Sequence, residues 1–227
     1  MKNYQVLGLR ANSYGSSVQV YTEKILSSYF SFSSQQRDRF RRIFSVYDVW
    51  NRRLNLVSRK DFSHLYLHHV LHSLALGRIL CFLPSVRILD LGTGGGFPGI
   101  PLAIFYPDIE ICLLDAVGKK IRAVRDIVGS MGLENVAFHR GRVEDFSDQG
   151  FDYVLGRAVT DLVQFASWAR PKLRHDVEGG YSGGILYYTG GLREAVQVSG
   201  FSRVQVFELS EYFRESYFQD KQIVYLS

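Results

Sequence analysis

A glycine-rich loop near the middle of the chain limits the choice of fold more than any other stretch. Residues 86–91 read VRILDL, a pattern typical of a buried β-strand, and residues 92–96 read GTGGG. The apolar stretch from Phe97 to Ile104 then indicates the start of a helix. A strand, a glycine loop and a helix in this order open the nucleotide-binding α/β folds, so the sequence predicts a layered α/β protein.

Strand and helix patterns alternate on the C-terminal side of this loop. Further strands are predicted at residues 109–114, 136–139, 152–155 and 185–188, and helices at 119–129 and 162–168. Such alternation predicts a parallel sheet with helices on both faces. Residues 201–209 and 222–226 are rich in β-forming residues and predict a closing antiparallel pair. The expected fold is α/β, a Rossmann-like and mostly parallel seven-stranded sheet.

Residues 1–84 are predicted to form a helical N-terminal segment that packs on the α/β domain of residues 85–227. Ser33 and Ser34 are suitable helix caps. A second helix is predicted after Asp61, which is also a suitable cap. The apolar positions of the first helix repeat at helical spacing and are expected to face the core: Phe40, Ile43, Phe44, Tyr47, Trp50 and Leu54.

The composition excludes several classes of protein. Of the 227 residues, 46% are hydrophobic and 22% charged, which is typical of a folded protein rather than a disordered or fibrous one. Cys81 and Cys112 both lie in apolar runs and indicate neither a disulfide nor a metal site. No apolar run approaches the ~18 residues of a membrane span. The sequence therefore predicts a cytoplasmic protein without membrane contact.

The net charge of +5 suits either nucleic-acid binding or ordinary solvation. Arginines between the apolar positions of the first helix, Arg41 and Arg42 among them, give it a basic outer face. Lys119 and Arg122 belong to a second basic run on the helix at 119–129. Both faces are candidates for RNA phosphate contacts, and the alternative for each is a solvated surface.

Four of the six histidines fall in the second predicted helix, at His64, His68, His69 and His72. Histidines four residues apart on a helix can face one metal ion. No carboxylate or thiolate that would complete such a site is evident nearby, so the prediction is that no metal binds. A polar helix face or a contact with substrate is the preferred interpretation.

The carboxylates around the glycine loop discriminate between cofactors. Asp90 lies two residues before Gly92, where it would oppose the pyrophosphate of a dinucleotide but suit the positive charges of S-adenosylmethionine. No Gly-Lys-Ser/Thr follows the loop, which disfavours a nucleoside triphosphate. Asp115 ends the next strand, where a carboxylate can bind both ribose hydroxyls. Glu144 follows the third strand and is expected near the adenine, or else caps a short helix.

Several motifs occur in a fixed order between residues 47 and 188. They are WNRRLNLVS at 50–58, HVLHS at 69–73, DLGTGGGFPGIPL at 90–102, LDAVGKK at 114–120, RVE at 142–144 and GRA at 156–158. In this order they resemble the RsmG (GidB) family of ribosomal RNA small-subunit methyltransferases. Two positions depart from the family pattern, because His72 replaces an aspartate and Thr189 replaces a lysine.

The resemblance implies a class I, S-adenosylmethionine-dependent methyltransferase that modifies the N7 atom of one guanine in 16S ribosomal RNA. It implies cofactor contacts from Gly92, Phe97, Val143, Glu144 and Arg157, in addition to the carboxylates Asp90 and Asp115 already identified and to Gly94 of the glycine loop. Guanine N7 has a free lone pair and no proton to lose, so transfer needs alignment and electrostatics rather than a general base. The partner implied is 16S ribosomal RNA or the small ribosomal subunit, bound by a monomer.

Arg157 ends the fourth predicted strand, beside the expected position of the methyl group. It is predicted to orient the cofactor carboxylate or a substrate phosphate, and the alternative is an internal salt bridge. Three other functions remain open on the sequence. They are an RNA-binding assembly protein that holds the cofactor without turnover, a methyltransferase for another RNA base or for protein, and, least favoured because of Asp90, a dehydrogenase.

Overall fold

The computed structural model describes residues 22–174, 183–191 and 198–227. A seven-stranded sheet lies at its centre, made of β1 (Arg87–Leu91), β2 (Glu110–Asp115), β3 (Val136–Arg140), β4 (Tyr153–Arg157), β5 (Gly184–Thr189), β6 (Val204–Glu208) and β7 (Gln222–Leu226). Every strand overlaps the range predicted for it.

The strand order across the sheet is β3-β2-β1-β4-β5-β7-β6. Neighbouring strands from β3 to β5 pair in parallel, and β7 is antiparallel to both β5 and β6. The predicted α/β fold with a mostly parallel seven-stranded sheet is therefore confirmed. Since the order runs outward from β1 in both directions, a crevice opens at the carboxyl ends of β1 and β4, where open α/β sheets bind ligands.

Six α-helices are described around the sheet: α1 (Ser34–Asn51), α2 (His72–Leu74), α3 (Leu76–Ile79), α4 (Gly99–Phe105), α5 (Gly118–Met131) and α6 (Leu162–Ala169). Short 3₁₀ turns cover Glu23–Ser28, Phe62–His64, Arg170–Lys172, Leu209–Glu211 and Ser216–Phe218. None of the helices in these described ranges is long and apolar enough to cross a membrane.

Helix α1 begins at a reciprocal cap. The Ser33 hydroxyl accepts from the Gln36 amide nitrogen at 3.2 Å, and the Gln36 side-chain oxygen accepts from the Ser33 amide nitrogen at 2.8 Å. The predicted core residues Phe40, Ile43 and Tyr47 are at most 2% exposed. The helix thus presents the expected apolar face to the sheet domain.

The core position predicted for Phe44 is wrong. Its side chain is 38% exposed and packs on Phe62 with 5.0 Å between ring centroids. Because Phe44 follows Ile43 directly, it lies about 100° further around the helix and points away from the face that carries Ile43. It covers the start of the next helical stretch instead.

That second stretch is irregular. After the Phe62–His64 turn, Leu65–Leu71 is wound as a π-helix, and α2 and α3 follow. The capping role predicted for Asp61 is wrong, because its side chain makes no cap hydrogen bond. Its carboxylate is held instead by two histidine rings further along the stretch.

The hydrophobic core divides into two clusters, one on each face of the sheet. In β1, Ile88 belongs to the cluster that includes the helical residues 26–76, while the adjacent Leu89 belongs to the cluster beneath α6. This alternation follows from the two-residue period of a strand. The N-terminal helices therefore cover one face of the sheet, and the division between residues 84 and 85 stays a prediction.

Candidate cofactor and acceptor site

The glycine loop between β1 and α4 is held against the end of β2. The amide nitrogens of Gly92 and Thr93 both donate to the Leu114 carbonyl oxygen, at 2.8 and 3.0 Å. Gly92, Gly94 and Gly96 have φ of +74°, +57° and +90°, a left-handed region that favours glycine. Any residue with a Cβ would therefore be strained at these three positions of the loop.

Gly95 allows the N-terminal segment to approach this loop. A Cβ at Gly95 would lie 2.8 Å from the Leu56 carbonyl oxygen. The buried Tyr47 hydroxyl donates to the Gly95 carbonyl oxygen at 2.8 Å. Helix α1 and the segment after it therefore help to shape the loop, a role that the sequence did not reveal for Tyr47.

Asp90, at the end of β1, is fully buried beneath the loop. Its Oδ2 accepts from the Thr93 hydroxyl at 2.7 Å and from the Gly99 amide nitrogen at 2.9 Å. Its Oδ1 has no hydrogen-bond partner among the residues described. Burial raises the pKa of this carboxyl to about 6. Asp90 thus ties the two ends of the loop together and leaves one oxygen for a donor.

Asp115, at the end of β2, contacts the same loop. Its Oδ2 accepts from the Gly94 amide nitrogen at 2.9 Å, and its Oδ1 accepts from the Val117 amide nitrogen at 2.7 Å. Beyond β3, Val143 is 6% exposed and Glu144 is exposed. Asp90 and Asp115 are therefore in direct contact with the loop at the carboxyl ends of adjacent strands, whereas Glu144 lies on an exposed turn four residues beyond the end of β3.

Arg157 reaches the site from the end of β4. Its Nη1 donates to the His68 carbonyl oxygen at 3.2 Å, and its Nη2 donates to His69 Nδ1 at 2.8 Å. Its guanidinium carbon lies 5.6 Å from the centroid of the Phe97 ring, which is itself 5% exposed. Arg157 and Phe97, both predicted for the site, are therefore brought together.

The positive charge of Arg157 has no carboxylate within ion-pair distance in the described part of the chain. Burial lowers the pKa of its guanidinium, although arginine stays charged. The alternative of an internal salt bridge is therefore not realised in the residues described. A half-buried cation without a carboxylate in direct contact favours an anionic ligand.

A cavity of about 350 Å³ opens beside Arg157 at the carboxyl ends of β4 and β5. Its wall comes from four parts of the fold, and the residues are Asp61, His68, His69, His72, Arg157, Ala158, Tyr187, Tyr188, Thr189, Gly190, Tyr217 and Lys221. Arg157 therefore lies between the two parts of the site, because it lines the cavity and also contacts Phe97 at the end of the glycine loop. The cavity contains both His72 and Thr189, the two departures from the family pattern.

The histidine cluster has a carboxylate that sequence reasoning missed. Asp61 Oδ1 lies 2.6 Å from His68 Nδ1, and Asp61 Oδ2 lies 2.7 Å from His69 Nε2. The statement that no carboxylate lies near the histidines is therefore wrong. Asp61 precedes these histidines by seven and eight residues, a spacing that would reveal the contact only if the π-helical winding were known.

Possible ligand atoms of Asp61, His64 and His68 lie within 4.8 Å of one another. Each oxygen of Asp61 already accepts from an imidazole nitrogen, and Arg157 adds a positive charge on the far side of His69. Hydrogen bonding accounts for this arrangement, and the absence of a bound metal stays a prediction.

His72 is 4% exposed and forms a buried polar pair with Tyr217. Its Nδ1 lies 3.0 Å from the Tyr217 hydroxyl, which donates to the His68 carbonyl oxygen at 3.2 Å. Burial lowers the pKa of His72 well below its ordinary value. His72 is therefore a neutral ring in the cavity wall, in the position where the family resemblance leads one to expect a carboxylate.

The four residues predicted to contact RNA are spread over two helices. Lys119 and Arg122 are exposed on the first turns of α5, near the cofactor edge of the sheet. Arg41 is exposed on α1. Arg42 donates to the Ser130 carbonyl oxygen at 2.6 Å, near the C-terminal end of α5. The structure therefore does not bring all four residues into one cluster.

The sheet order, the glycine loop after β1 and the carboxylates that end β1 and β2 together define a Rossmann-like, S-adenosylmethionine-dependent methyltransferase. The fold is similar to a SAM-dependent methyltransferase from Aquifex aeolicus, with a TM-score of 0.50, 15% identity and coverage of 71% of this chain and 92% of the other. It is also similar to a putative O-methyltransferase from Nostoc punctiforme, with a TM-score of 0.54, 15% identity and coverage of 73% and 57%.

Residues 36–204 match the model of the GidB family, described as rRNA small subunit methyltransferase G. A ribosomal RNA small subunit methyltransferase G from Christiangramia forsetii is 40% identical over 206 residues, which are 90% of this chain and 97% of the relative. One from Cytophaga hutchinsonii is 39% identical over 205 residues, or 89% and 98%. The chain belongs to the GidB family, and the resemblance found in the sequence is confirmed.

Proposed function

We propose that the protein transfers a methyl group from S-adenosylmethionine to the N7 atom of one guanine in 16S ribosomal RNA. The observation that carries the proposal is the half-buried Arg157, which has no carboxylate partner among the described residues and lies between the glycine loop and the 350 Å³ cavity. It supports an anionic ligand at the junction of a cofactor site and an acceptor site. Family membership supports ribosomal RNA as the acceptor.

The residues proposed to hold the cofactor are Asp90, Gly92, Gly94, Phe97, Asp115, Val143, Glu144 and Arg157. They fit the group chemically, because Asp90 Oδ1 is a buried acceptor without a partner among the described residues and suits an ammonium. The two other carboxylates suit hydroxyl and amine donors. S-adenosylmethionine, when bound, supplies an electrophilic methyl group on a sulfonium.

The other residues of the site are proposed to align the acceptor guanine with the methyl group. Guanine N7 carries its own lone pair, so no side chain needs to remove a proton. Arg157 orients the cofactor carboxylate or a phosphate of the RNA, and the cavity walls exclude water from the reacting atoms. His72 and Thr189 contribute no charge to this wall, so orientation of the substrate depends on Arg157 and on Lys221 among the cationic cavity residues.

Labelled S-adenosylmethionine tests the proposal directly. Purified protein is incubated with small-subunit particles or with their RNA from cells that lack this methylation, and the label is then mapped. We expect the label on one guanine N7, identified by strand scission at that nucleotide. Arg157→Lys should abolish most of the transfer, whereas Arg203→Lys, on an exposed arginine before β6, should retain it.

Three results would replace the proposal. Cofactor binding in a calorimetric titration without transfer to either substrate would favour the RNA-binding assembly protein. Label on another base or on protein would keep the class of enzyme and change its substrate. Binding of a nicotinamide dinucleotide in preference to S-adenosylmethionine would favour the dehydrogenase.

For RNA binding we propose phosphate contacts from Arg41, Arg42, Lys119 and Arg122. The exposed positions of Lys119 and Arg122 near the cofactor edge support the second pair. Reversal of each pair to glutamate should weaken RNA binding and reduce its salt dependence by about one unit of slope per lost contact. Reversal of Arg203 is the control, and equal losses from all three changes would contradict a localised surface.

We propose further that the protein acts as a monomer in the cytoplasm. A 16S ribosomal RNA or small-subunit substrate supports this location. Sedimentation of the purified protein with and without RNA tests the monomer, and a concentration-dependent increase in mass would contradict it.

A further inference from the structure

Three side chains, Asp61, His69 and Arg157, form a hydrogen-bonded series that ends at the half-buried guanidinium. Asp61 Oδ2 lies 2.7 Å from His69 Nε2, and on the other side of the same ring His69 Nδ1 lies 2.8 Å from Arg157 Nη2. A guanidinium can only donate, so Nδ1 must be the unprotonated acceptor. The ring proton is therefore on Nε2 and is donated to Asp61. The two contacts define a single neutral tautomer of His69.

We propose that Asp61 is a positioning residue for methyl transfer, acting through His69 on Arg157. By accepting the Nε2 proton, Asp61 keeps Nδ1 free to accept from Arg157 and so fixes the guanidinium at the cavity wall. The second nitrogen of an imidazole commonly sets the role of the first in this way. This inference rests on the role proposed for Arg157 above.

The second oxygen of Asp61 supports the same geometry through the backbone. Asp61 Oδ1 accepts from His68 Nδ1 at 2.6 Å, and the His68 ring stacks on Tyr217 with 3.9 Å between centroids. The His68 carbonyl oxygen accepts from Arg157 Nη1 at 3.2 Å. Asp61 therefore holds the rings of both residues that accept from Arg157, His69 through its ring and His68 through its backbone carbonyl oxygen.

The surroundings favour an ionised Asp61 and a neutral His69. The hydrogen bond from His69, followed by that from His68, holds the pKa of Asp61 well below its usual range. Burial lowers the pKa of His69, which outweighs the opposing effect of Asp61, and the charge of Arg157 acts in the same direction as burial. Protonation of Nδ1 would place two donors face to face, so the neutral ring is required for the contact with Arg157.

Asp61→Asn separates this role from simple packing. The amide keeps the shape of the side chain, but its nitrogen is a donor, so it cannot accept from both rings. We expect methyl transfer to fall about tenfold to a hundredfold, the usual consequence of losing a group that orients another. The matched control is Asp48→Asn, which removes a carboxylate from an exposed ion pair with Arg52 (2.7 Å) and should leave transfer unchanged.

The tautomer itself provides a readout without cofactor or substrate. In protein with ¹⁵N-labelled histidine, the long-range ¹H–¹⁵N spectrum should show His69 protonated at Nε2 only. In the Asp61→Asn variant this signature should be lost or mixed with the Nδ1-protonated form. A His69 signature unchanged from the wild type, together with transfer equal to that of Asp48→Asn, would overturn the proposal.

His69→Asn gives a second, independent test. An asparagine at this position places an amide oxygen close to where Nδ1 lies, so it can accept from Arg157 without help from Asp61. In the His69→Asn background, Asp61→Asn should therefore cause a smaller loss of transfer than in the wild type, limited to what Asp61 contributes through His68. A full additional loss in that background would overturn the proposal.

Arg157→Lys distinguishes this inference from the proposed function. If the Arg157→Lys variant transfers methyl groups normally, the role proposed for Arg157 is wrong. Asp61 then has no positioning role in methyl transfer, whether or not the tautomer of His69 depends on it. If Arg157→Lys is inactive but Asp61→Asn is fully active, the proposed function stands and this inference is overturned.

Discussion

Replacement of Asp90 by asparagine measures the cost of keeping a carboxylate beneath the glycine loop. Burial raises the pKa of Asp90 from 3.8 to about 6, in spite of the hydrogen bonds from Thr93 and Gly99. One pKa unit corresponds to about 1.4 kcal/mol, so the ionised carboxylate costs the folded state about 3 kcal/mol. The amide of the Asp90→Asn variant is neutral at every pH and still offers an oxygen to the loop.

The sign of the effect follows from proton binding. Because the folded-state pKa is the higher one, the folded protein binds the proton more tightly than the unfolded chain between pH 3.8 and about 6. The stabilisation from protonated Asp90 is complete below that window and is lost as the pH rises through about 6. The free energy of unfolding of the wild type, minus that of Asp90→Asn, should therefore fall by about 3 kcal/mol between roughly pH 3 and pH 8.

Urea denaturation followed by circular dichroism at several pH values provides both free energies. Subtracting the two free energies of unfolding removes the pH dependence that comes from the histidines, because both proteins contain the same histidines. Asp48→Asn, on the surface of α1, controls for the loss of a carboxylate as such. A difference that is independent of pH would refute the reasoning. Above pH 6 the variant should also bind S-adenosylmethionine more weakly, in calorimetry, because the buried acceptor charge is gone.

Three further changes test how the loop and α1 are held. Gly99→Ala places a Cβ 2.2 Å from Leu113 Cδ2 and should destabilise the protein by about 1–3 kcal/mol in urea, whereas Gly129→Ala, with nothing within 4 Å, should cost nothing. Tyr47→Phe removes the buried hydroxyl that donates to the loop. Calorimetry should show weaker cofactor binding, and the free energy of unfolding should fall by about 1 kcal/mol. Ser33→Ala removes one of the two hydrogen bonds of the α1 cap. The free energy of unfolding should fall by about 1 kcal/mol, which a lower thermal midpoint would show.

Local patterns were sufficient to predict most of the fold. The run of residues 86–104 contains β1, the loop and the start of α4 within one stretch, so a local pattern is enough to predict the order of these elements, although distant residues such as Leu114 and Tyr47 then hold the loop. The insertion of β7 between β5 and β6 was outside the reach of such patterns, because the order of strands depends on pairing between separate segments. Phe44 was misplaced since an apolar residue beside a core position fits the helical period almost as well as the core position itself.

The residues of the site could be predicted where they follow a strand, but not the contacts they make with distant segments. Asp90 and Asp115 follow directly from their places at the ends of strands. Arg157 was identified by position, but its partner was not, because His69 lies 88 residues earlier in the chain. The carboxylate of Asp61 was assigned to a helix cap, since nothing in the sequence indicates the π-helical winding that brings the two histidine rings to it.

The position of β7 has a consequence for how the acceptor cavity arises. All five residues of β7 are buried, and the strand is paired with β5 on one side and β6 on the other. Tyr217 and Lys221, which line the cavity, lie just before this strand. Loss of β7 would therefore release the segment that carries Tyr217 and Lys221 and open the acceptor cavity on that side, while the contacts of the glycine loop with Tyr47, Leu56 and Leu114 would remain. The cofactor half of the site is thus held by contacts around the glycine loop, whereas the acceptor half also depends on β7 and its pairing with β5 and β6.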